Sequence, residues 1–218
     1  MKKKLKEQLK SDELAKLMNR VLAFLSNNRK ELLAAAGAVT LVILVIIGIK
    51  YIQNLNARKQ SEILGQILAL EESLAENPEN LAQLDALGGS GKFERMAYIK
   101  SATYSYEQGD VEKALETIQK VPDNKKDFVH YQAQDLKAQI LMAQKNYDDA
   151  LKILDAIEQE NPSDYALDII LYRKAQLFAA RNDIDQAIAL YKRLQEDYPG
   201  SFFGYEAAQE VIKLEAKK

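Results

Sequence analysis

The 218-residue chain contains no cysteine, no tryptophan and a single histidine, His130. The absence of cysteine excludes disulfides, thiolate metal sites, a cysteine nucleophile and a lipidated N-terminal cysteine. One histidine cannot supply a multi-histidine metal site, and no group of carboxylates has the spacing of a cation-binding loop. No arrangement of serine, histidine and aspartate and no carboxylate pair indicates catalysis. The sequence therefore predicts a protein that is not an enzyme and has no catalytic residues, metal or cofactor.

The chain also lacks a large excess of charge of either sign. Its 30 Lys and Arg residues nearly balance its 32 Asp and Glu residues, which gives a formal net charge of −2. This balance argues against a nucleic-acid partner, which requires an excess of basic residues. We also expect no small-molecule substrate. The distribution is uneven, because residues 1–31 hold nine basic and four acidic side chains. The two ends of the chain are therefore expected to face different surroundings.

Residues 32–49 contain no charged side chain, and Thr40 carries the one hydroxyl among them. As a helix these 18 residues extend over roughly 27 Å, about the thickness of the hydrocarbon core of a bilayer. The pattern predicts a transmembrane helix over 32–52. The basic flank at 1–31 places the N-terminus in the cytoplasm. No small-residue cleavage site follows Lys50, so we expect a signal anchor that is retained.

The predicted cytoplasmic segment, 1–31, contains apolar residues at helical spacing. They predict a short basic amphipathic helix. This helix either lies on the anionic membrane surface or on a partner, or acts only as a topology signal. The residues of its apolar face are Leu14, Leu17, Met18, Val21, Leu22 and Leu25.

From Gln53 onward, apolar residues recur every three or four positions, and no stretch alternates as a strand does. Residues 53–91 are predicted to be a stalk helix that ends near Asn77-Pro78, followed by a short turn and a connector. The connector contains the run Gly88-Gly89-Ser90-Gly91-Lys92. A phosphate-binding loop requires a further glycine upstream and a Ser or Thr after the lysine, and both are missing here. We therefore interpret the run as a flexible connector.

Residues 92–218 contain an internal repeat of helix, tight turn and helix. Paired alanines lie 12 residues apart and recur after 36 and 37 residues. Two antiparallel helices approach closely where each carries a small side chain, and a proline ends the second helix. The spacing predicts three pairs of helices, 92–108 with 111–121, 126–144 with 147–160, and 164–181 with 184–197. The repeated residues are Ala102 and Ala114, then Ala138, Ala150 and Pro162, then Ala175, Ala187 and Pro199.

These alanines and prolines resemble the small residues and the proline of tetratricopeptide repeats. The repeats lack the usual tryptophan, and their period is longer than the usual 34 residues. The resemblance implies a tetratricopeptide-like solenoid of helical pairs. With the predicted N-terminal transmembrane helix before it, the expected fold class is all-α. A C-terminal capping helix is predicted over 202–216. Its polar outer face is predicted to consist of Glu206, Gln209, Glu210, Lys213 and Glu215.

A solenoid of this kind lines its concave face with the first helix of each pair. We predict a tolerant groove for polypeptides, since Met and Tyr side chains adapt to varied partners. The alternative is that Tyr104, Tyr106, Tyr131 and Tyr172 only fill gaps between repeats. We expect His130 to be a solvated or capping residue. The predicted groove residues are Met96, Ile99, Thr103, Tyr106, Gln132, Asp135, Gln139, Met142, Ile169, Tyr172 and Gln176.

The whole layout resembles YfgM-type proteins, in the lead-in at 24–30, the anchor that ends near Gly48-Ile49-Lys50-Tyr51, and the repeats over 53–218. The resemblance implies an ancillary subunit of the bacterial Sec translocon, in the inner membrane with a periplasmic C-terminal domain. The implied partners are translocon subunits, a membrane-anchored periplasmic chaperone and client polypeptides. An alternative follows from the segment 194–201, which resembles repeat endings of envelope proteins. That alternative is a scaffold for cell division or for assembly of the cell envelope.

Overall fold

The computed structural model describes residues 15–20, 22–123 and 125–216. Within those ranges all regular secondary structure is helical, which confirms the all-α prediction. Residues 15–20 and 22–27 are helical, and the apolar side chains of Leu17, Met18, Leu22 and Leu25 are exposed. Leu14 and Val21 of the predicted amphipathic face lie outside the described residues.

The longest helix, α1, runs without interruption from Arg29 to Ser73. Its segment Gly37–Ser73 is long and apolar enough to span a membrane, and none of the side chains in its most apolar window is buried. This apolar window is therefore not part of the core of the described residues. By contacts the chain forms two compact units, 1–59 and 60–218. The boundaries expected at residues 31, 52 and 91 stay predictions.

The second unit contains the last part of α1 and eight further helices among its described residues. The three predicted pairs are confirmed as α3 with α4, α5 with α6 and α7 with α8. α5 starts two residues later than predicted, because Asp127 caps it and accepts a hydrogen bond from the backbone N–H of His130. The helices are α2 Asn80–Ala86, α3 Lys92–Glu107, α4 Val111–Gln119, α5 Phe128–Ala143, α6 Tyr147–Glu160, α7 Leu167–Ala180, α8 Ile184–Asp197 and α9 Phe202–Glu215.

The turn inside each pair has one residue in the left-handed conformation, at the same place each time: Gly109 (φ 80°), Lys145 (φ 61°) and Asn182 (φ 65°). The next N–H donates back to the carbonyl five residues earlier, as from Asp110 to Ser105 at 2.9 Å. This hydrogen bond satisfies a carbonyl at the end of the first helix. The residue that donates it, such as Asp110, is also the N-cap of the second helix. The three turns therefore share one backbone conformation and one hydrogen-bonding pattern.

The paired alanines behave as the repeat predicts. Ala102, Ala114, Ala138, Ala150, Ala175 and Ala187 are each fully buried. A small side chain at each crossing lets two helices approach closely. α3, α5, α7 and α9 also contact one another in succession. The first helices thus form one continuous layer, which positions the groove.

α9 ends the solenoid by packing on α7 and α8, which confirms a terminal helix. Its outer face agrees with the prediction in part, because Gln209, Lys213 and Glu215 are exposed. Phe202, Tyr205 and Ile212 are exposed, whereas Glu206 and Glu210 are half-buried. The helix is rotated in this way because Ala207, Val211 and Leu214 fill the core side.

At the other end of the second unit, the last turns of α1 pack into the core. Ile67 and Leu74 form an apolar cluster with Leu81, Leu84 and Ala97. Lys100 Nζ donates to Glu71 at 2.6 Å, and the Tyr104 hydroxyl donates to the carbonyl of Leu74 at 3.3 Å. The glycine run is also tightly packed, since a Cβ at Gly88 would overlap the Tyr98 ring. The part of the predicted stalk after residue 60 therefore contributes to the repeat unit.

Candidate peptide-binding groove

A cavity of about 480 Å³ opens on the layer formed by the first helices. α3 contributes one wall, α5 the floor, and α7 with Phe203 of α9 the other end. Its size lies within the range of ligand-binding sites in proteins. Its lining consists of Ile99, Thr103, Tyr106, Glu107, Phe128, Gln132, Asp135, Leu136, Gln139, Tyr165, Ala166, Ile169 and Phe203.

The structure brings seven of the eleven predicted groove residues together around this cavity: Ile99, Thr103, Tyr106, Gln132, Asp135, Gln139 and Ile169. Their part in binding stays a prediction.

The other four predicted residues do not line the cavity. Met96 and Met142 pack against apolar core clusters. Tyr172 contacts the rings of Tyr191 and Phe203, with centroids 5.5 and 5.1 Å apart. Gln176 accepts a hydrogen bond from Arg173 at 3.1 Å. Met96, Met142 and Tyr172 therefore pack in the core or between helices, and Gln176 is bonded within its own helix.

Sequence reasoning missed three aromatic lining residues, Phe128, Tyr165 and Phe203. Each lies at or just before the start of a first helix, outside the stripe of positions used for the prediction. Phe128 and Tyr165 are 37 residues apart, the period of the repeat, and their ring centroids are 5.6 Å apart. This periodic aromatic position was the signal in the sequence that could have identified Phe128 and Tyr165. It does not identify Phe203, because one period after Tyr165 lies Phe202, which is exposed.

Asp135 is the polar centre of the cavity and is only 5% exposed. Its Oδ2 accepts hydrogen bonds from the Tyr165 hydroxyl at 3.3 Å and from Gln139 Nε2 at 3.2 Å. Its Oδ1 lies 3.4 Å from Arg173 Nε, and neither atom has a hydrogen-bond partner. Burial raises the pKa of Asp135, while Arg173, Tyr165 and Gln139 act in the opposite direction. The cavity therefore holds one buried carboxylate, paired with Arg173 through Oδ1 and with Tyr165 and Gln139 through Oδ2.

The second carboxylate of the cavity, Glu107, is exposed at its rim. A neighbouring cavity of about 670 Å³ shares Thr103 and Glu107 with the first and extends to Leu74 and Pro78. The two cavities therefore meet along α3 at Thr103 and Glu107.

Of the remaining candidate residues, His130 and Tyr131 lie away from the cavity. His130 is buried, which contradicts the expectation of a solvated ring, and its Nδ1 lies 3.1 Å from Asp123 Oδ1. The Tyr131 hydroxyl donates to Glu160 at 3.0 Å. Tyr104, Tyr131 and Tyr172 thus pack between helices, as the alternative interpretation held. Tyr106 lines the cavity, and Tyr104 also lines the neighbouring one.

Comparisons with known proteins agree with this architecture. A family model described as a tetratricopeptide repeat-like domain matches residues 23–214. A crystal structure from Podosopora anserina, titled as a putative kinesin light chain with nearly identical TPR-like repeats, is 15% identical with a TM-score of 0.58, over 71% of this chain and 85% of that chain. The structure titled MamA RS-1 ArsTM double mutant is 16% identical, with a TM-score of 0.49. The match covers 71% of this chain and 96% of that chain. No curated protein matches the sequence. The first of these structures supports the fold alone.

Proposed function

We propose, since the chain belongs to the tetratricopeptide repeat-like domain family, that it is a membrane-anchored, non-catalytic module whose groove binds other polypeptides. The observation that carries this proposal is the cavity of about 480 Å³ on the layer of first helices. Repeat solenoids use such concave surfaces for extended partners.

The lining suits an extended polypeptide. Gln132 and Gln139 offer amide donors and acceptors that can pair with peptide groups. Ile99, Leu136 and Ile169 offer apolar contact beside them. Backbone hydrogen bonds with apolar contact give affinity with little dependence on sequence, as in other modes of peptide recognition. The groove is therefore suited to many weakly bound clients.

The anchor is the second part of the proposal. The apolar side chains of α1 between Val39 and Ile52 are exposed, and burying them in a bilayer removes their apolar surface from water. The basic residues at 1–31 support a cytoplasmic N-terminus and a periplasmic repeat domain at the inner membrane. Because the chain contains no cysteine, single-cysteine labelling of intact cells tests this topology. We expect Lys145→Cys to react with an impermeant maleimide and Ser26→Cys to react only after lysis; the reverse pattern contradicts the proposal.

The YfgM-type layout supports a place beside the Sec translocon. An anchor there would hold the groove near emerging polypeptides and raise their local concentration. Weak individual contacts would then suffice. The proposed partners are translocon subunits, a membrane-anchored periplasmic chaperone and secreted clients. The second candidate is a scaffold for cell division or envelope assembly, which the segment 194–201 favours.

Photocrosslinking in native membranes separates these two functions. Photoreactive residues are placed at Tyr106 and Gln132 in the groove and at Ile43 in α1, with Glu112 on α4 as a control outside the groove. The proposal predicts products with translocon subunits, a chaperone or nascent secreted chains from the groove positions. Products with division or assembly factors would favour the second candidate. If the probe at Glu112 gave the same crosslinked products in equal yield, the assignment of binding to the groove would be contradicted.

A further inference from the structure

The charged groups of the cavity have one sign. Among the residues that the structure describes, its lining includes two carboxylates, Asp135 and Glu107, and no Lys, Arg or His. Arg173 lies near Asp135 from outside the lining, with 3.4 Å between its Nε and Asp135 Oδ1. This pair is close to neutral, so the charge of Glu107 leaves the cavity and its rim with a net formal charge of about −1 at neutral pH.

The aromatic side chains around these carboxylates favour a cation as well. Tyr106, Phe128, Tyr165 and Phe203 line the same cavity. The faces of aromatic rings attract ammonium and guanidinium groups. The aliphatic stem of a Lys or Arg side chain packs on apolar surface while its charged end reaches a polar partner.

Asp135 offers a specific acceptor to such a group. Its side chain is more than nine-tenths buried and lines the cavity. Its Oδ1 has no hydrogen bond. That oxygen faces Arg173 Nε at 3.4 Å in an ion pair. A carboxylate has about four acceptor sites, so the Asp135 side chain can accept a further donor from a bound ligand.

We infer that the cavity selects polypeptide segments in which a Lys or Arg side chain lies among apolar residues. The cationic end is held between Asp135 and Glu107, and the stem packs against Phe128 and Tyr165. This inference rests on the proposed function, since it specifies the chemistry of the segments that the groove binds.

Binding of three matched peptides to the full-length chain in detergent tests the inference. The peptides share one extended apolar and serine sequence and differ only at the central residue, which is Lys, norleucine or Glu. Fluorescence anisotropy at low salt is expected to give the order Lys, norleucine, Glu. Lys is expected to bind about threefold to tenfold tighter than norleucine, because ion pairs at partly exposed sites are modest. Added salt is expected to reduce that ratio.

Two matched variants locate the effect. Glu107→Gln is expected to lower the ratio of Lys to norleucine affinity about twofold or more. Glu112→Gln, an exposed residue of α4 outside the cavity, is expected to leave the ratio unchanged. Asp135→Asn is expected to lower the ratio further, with the folded state checked by circular dichroism. If Asp135→Asn does not fold, the affinity ratio of Glu107→Gln compared with that of Glu112→Gln decides whether the inference holds.

Equal binding of the Lys and norleucine peptides overturns the inference and leaves the proposed function standing. An equal loss of preference in Glu107→Gln and Glu112→Gln also overturns it, because the effect would then be long-range charge. Failure of all three peptides to bind overturns the proposed function as well.

Discussion

Arg95 and Asp127 form a two-point salt bridge, with Nη1 to Oδ1 at 3.0 Å and Nη2 to Oδ2 at 2.6 Å. Arg95 belongs to the first helix of one pair and is 1% exposed, and Asp127 caps the first helix of the next pair and is 19% exposed. Asp127 Oδ1 also accepts the N–H of His130 at 3.2 Å. One carboxylate thus starts α5 and fixes it to α3, which sets the floor and wall of the groove relative to each other.

Removal of the Asp127 charge should destabilise the repeat unit. Asp127→Asn keeps a helix-capping oxygen but leaves the buried guanidinium of Arg95 without its anion, at a cost of about 3 kcal/mol. The same change in the Arg95→Met background should cost much less, because no buried cation remains. Thermal unfolding of the four proteins of this cycle, in detergent, measures the coupling. Equal costs in both backgrounds would show that the two residues act independently.

The same pair predicts a pH dependence. The hydrogen bonds from Arg95 hold the pKa of Asp127 below its usual range. A carboxyl whose folded pKa is depressed stabilises the fold above its unfolded pKa, near 3.9, and that contribution is lost as pH falls through the folded pKa. We expect the melting temperature to fall as pH is lowered below about 4, and Asp127→Asn to show a smaller fall. Glu112→Gln serves as a surface control; an unchanged slope in Asp127→Asn would contradict the assignment.

The helix crossings inside each pair should not accept a larger side chain. Ala138 on α5 is fully buried, so Ala138→Leu should overpack the crossing and cost about 1–3 kcal/mol. Ala143 lies on the same helix but is exposed. Ala143→Leu therefore makes the same chemical change at a position where no neighbouring helix packs closely. Melting temperatures of the two variants provide the comparison. A similar small effect at both positions would show that close approach does not depend on alanine.

The equivalent turns predict opposite effects at two positions. Lys145 has a φ of 61°, a region that costs residues with a Cβ about 1–2 kcal/mol, so Lys145→Gly should stabilise by up to about 1 kcal/mol after the entropy of glycine is included. Gly109, with a φ of 80°, occupies the same place in the first turn, so Gly109→Ala should destabilise. Chemical denaturation measures both. Stabilisation by Gly109→Ala would contradict the equivalence of the turns.

The repeat could be predicted from the sequence because its signals are local and periodic. An alanine such as Ala138 and a turn residue such as Asn182 recur at fixed spacing and act through nearby backbone. The Arg95–Asp127 pair could not be predicted in this way, since a charged residue on a helix normally indicates an exposed face. Its burial depends on a partner 32 residues away.

The part of the candidate site that could be predicted also follows a local, periodic pattern. Positions such as Ile99 and Gln132 follow the helical period of a groove-facing stripe. Tyr165 lies in the loop before α7, and its position depends on its contacts with Phe128 and Asp135. The exposed apolar face of α9 was missed because the rotation of a terminal helix is set by packing against α8, not by its own pattern.

The central claim is that the layer of first helices is the surface that binds polypeptides. It is tested most directly by photocrosslinking the purified full-length chain in detergent to a permanently unfolded polypeptide. Probes replace Gln132 in the groove and, as a matched position outside it, Lys152 of α6. The account predicts that the Gln132 probe captures the polypeptide and that an unlabelled client competes, with little capture from Lys152. Capture mainly from Lys152 would contradict the account and assign binding to the second helices.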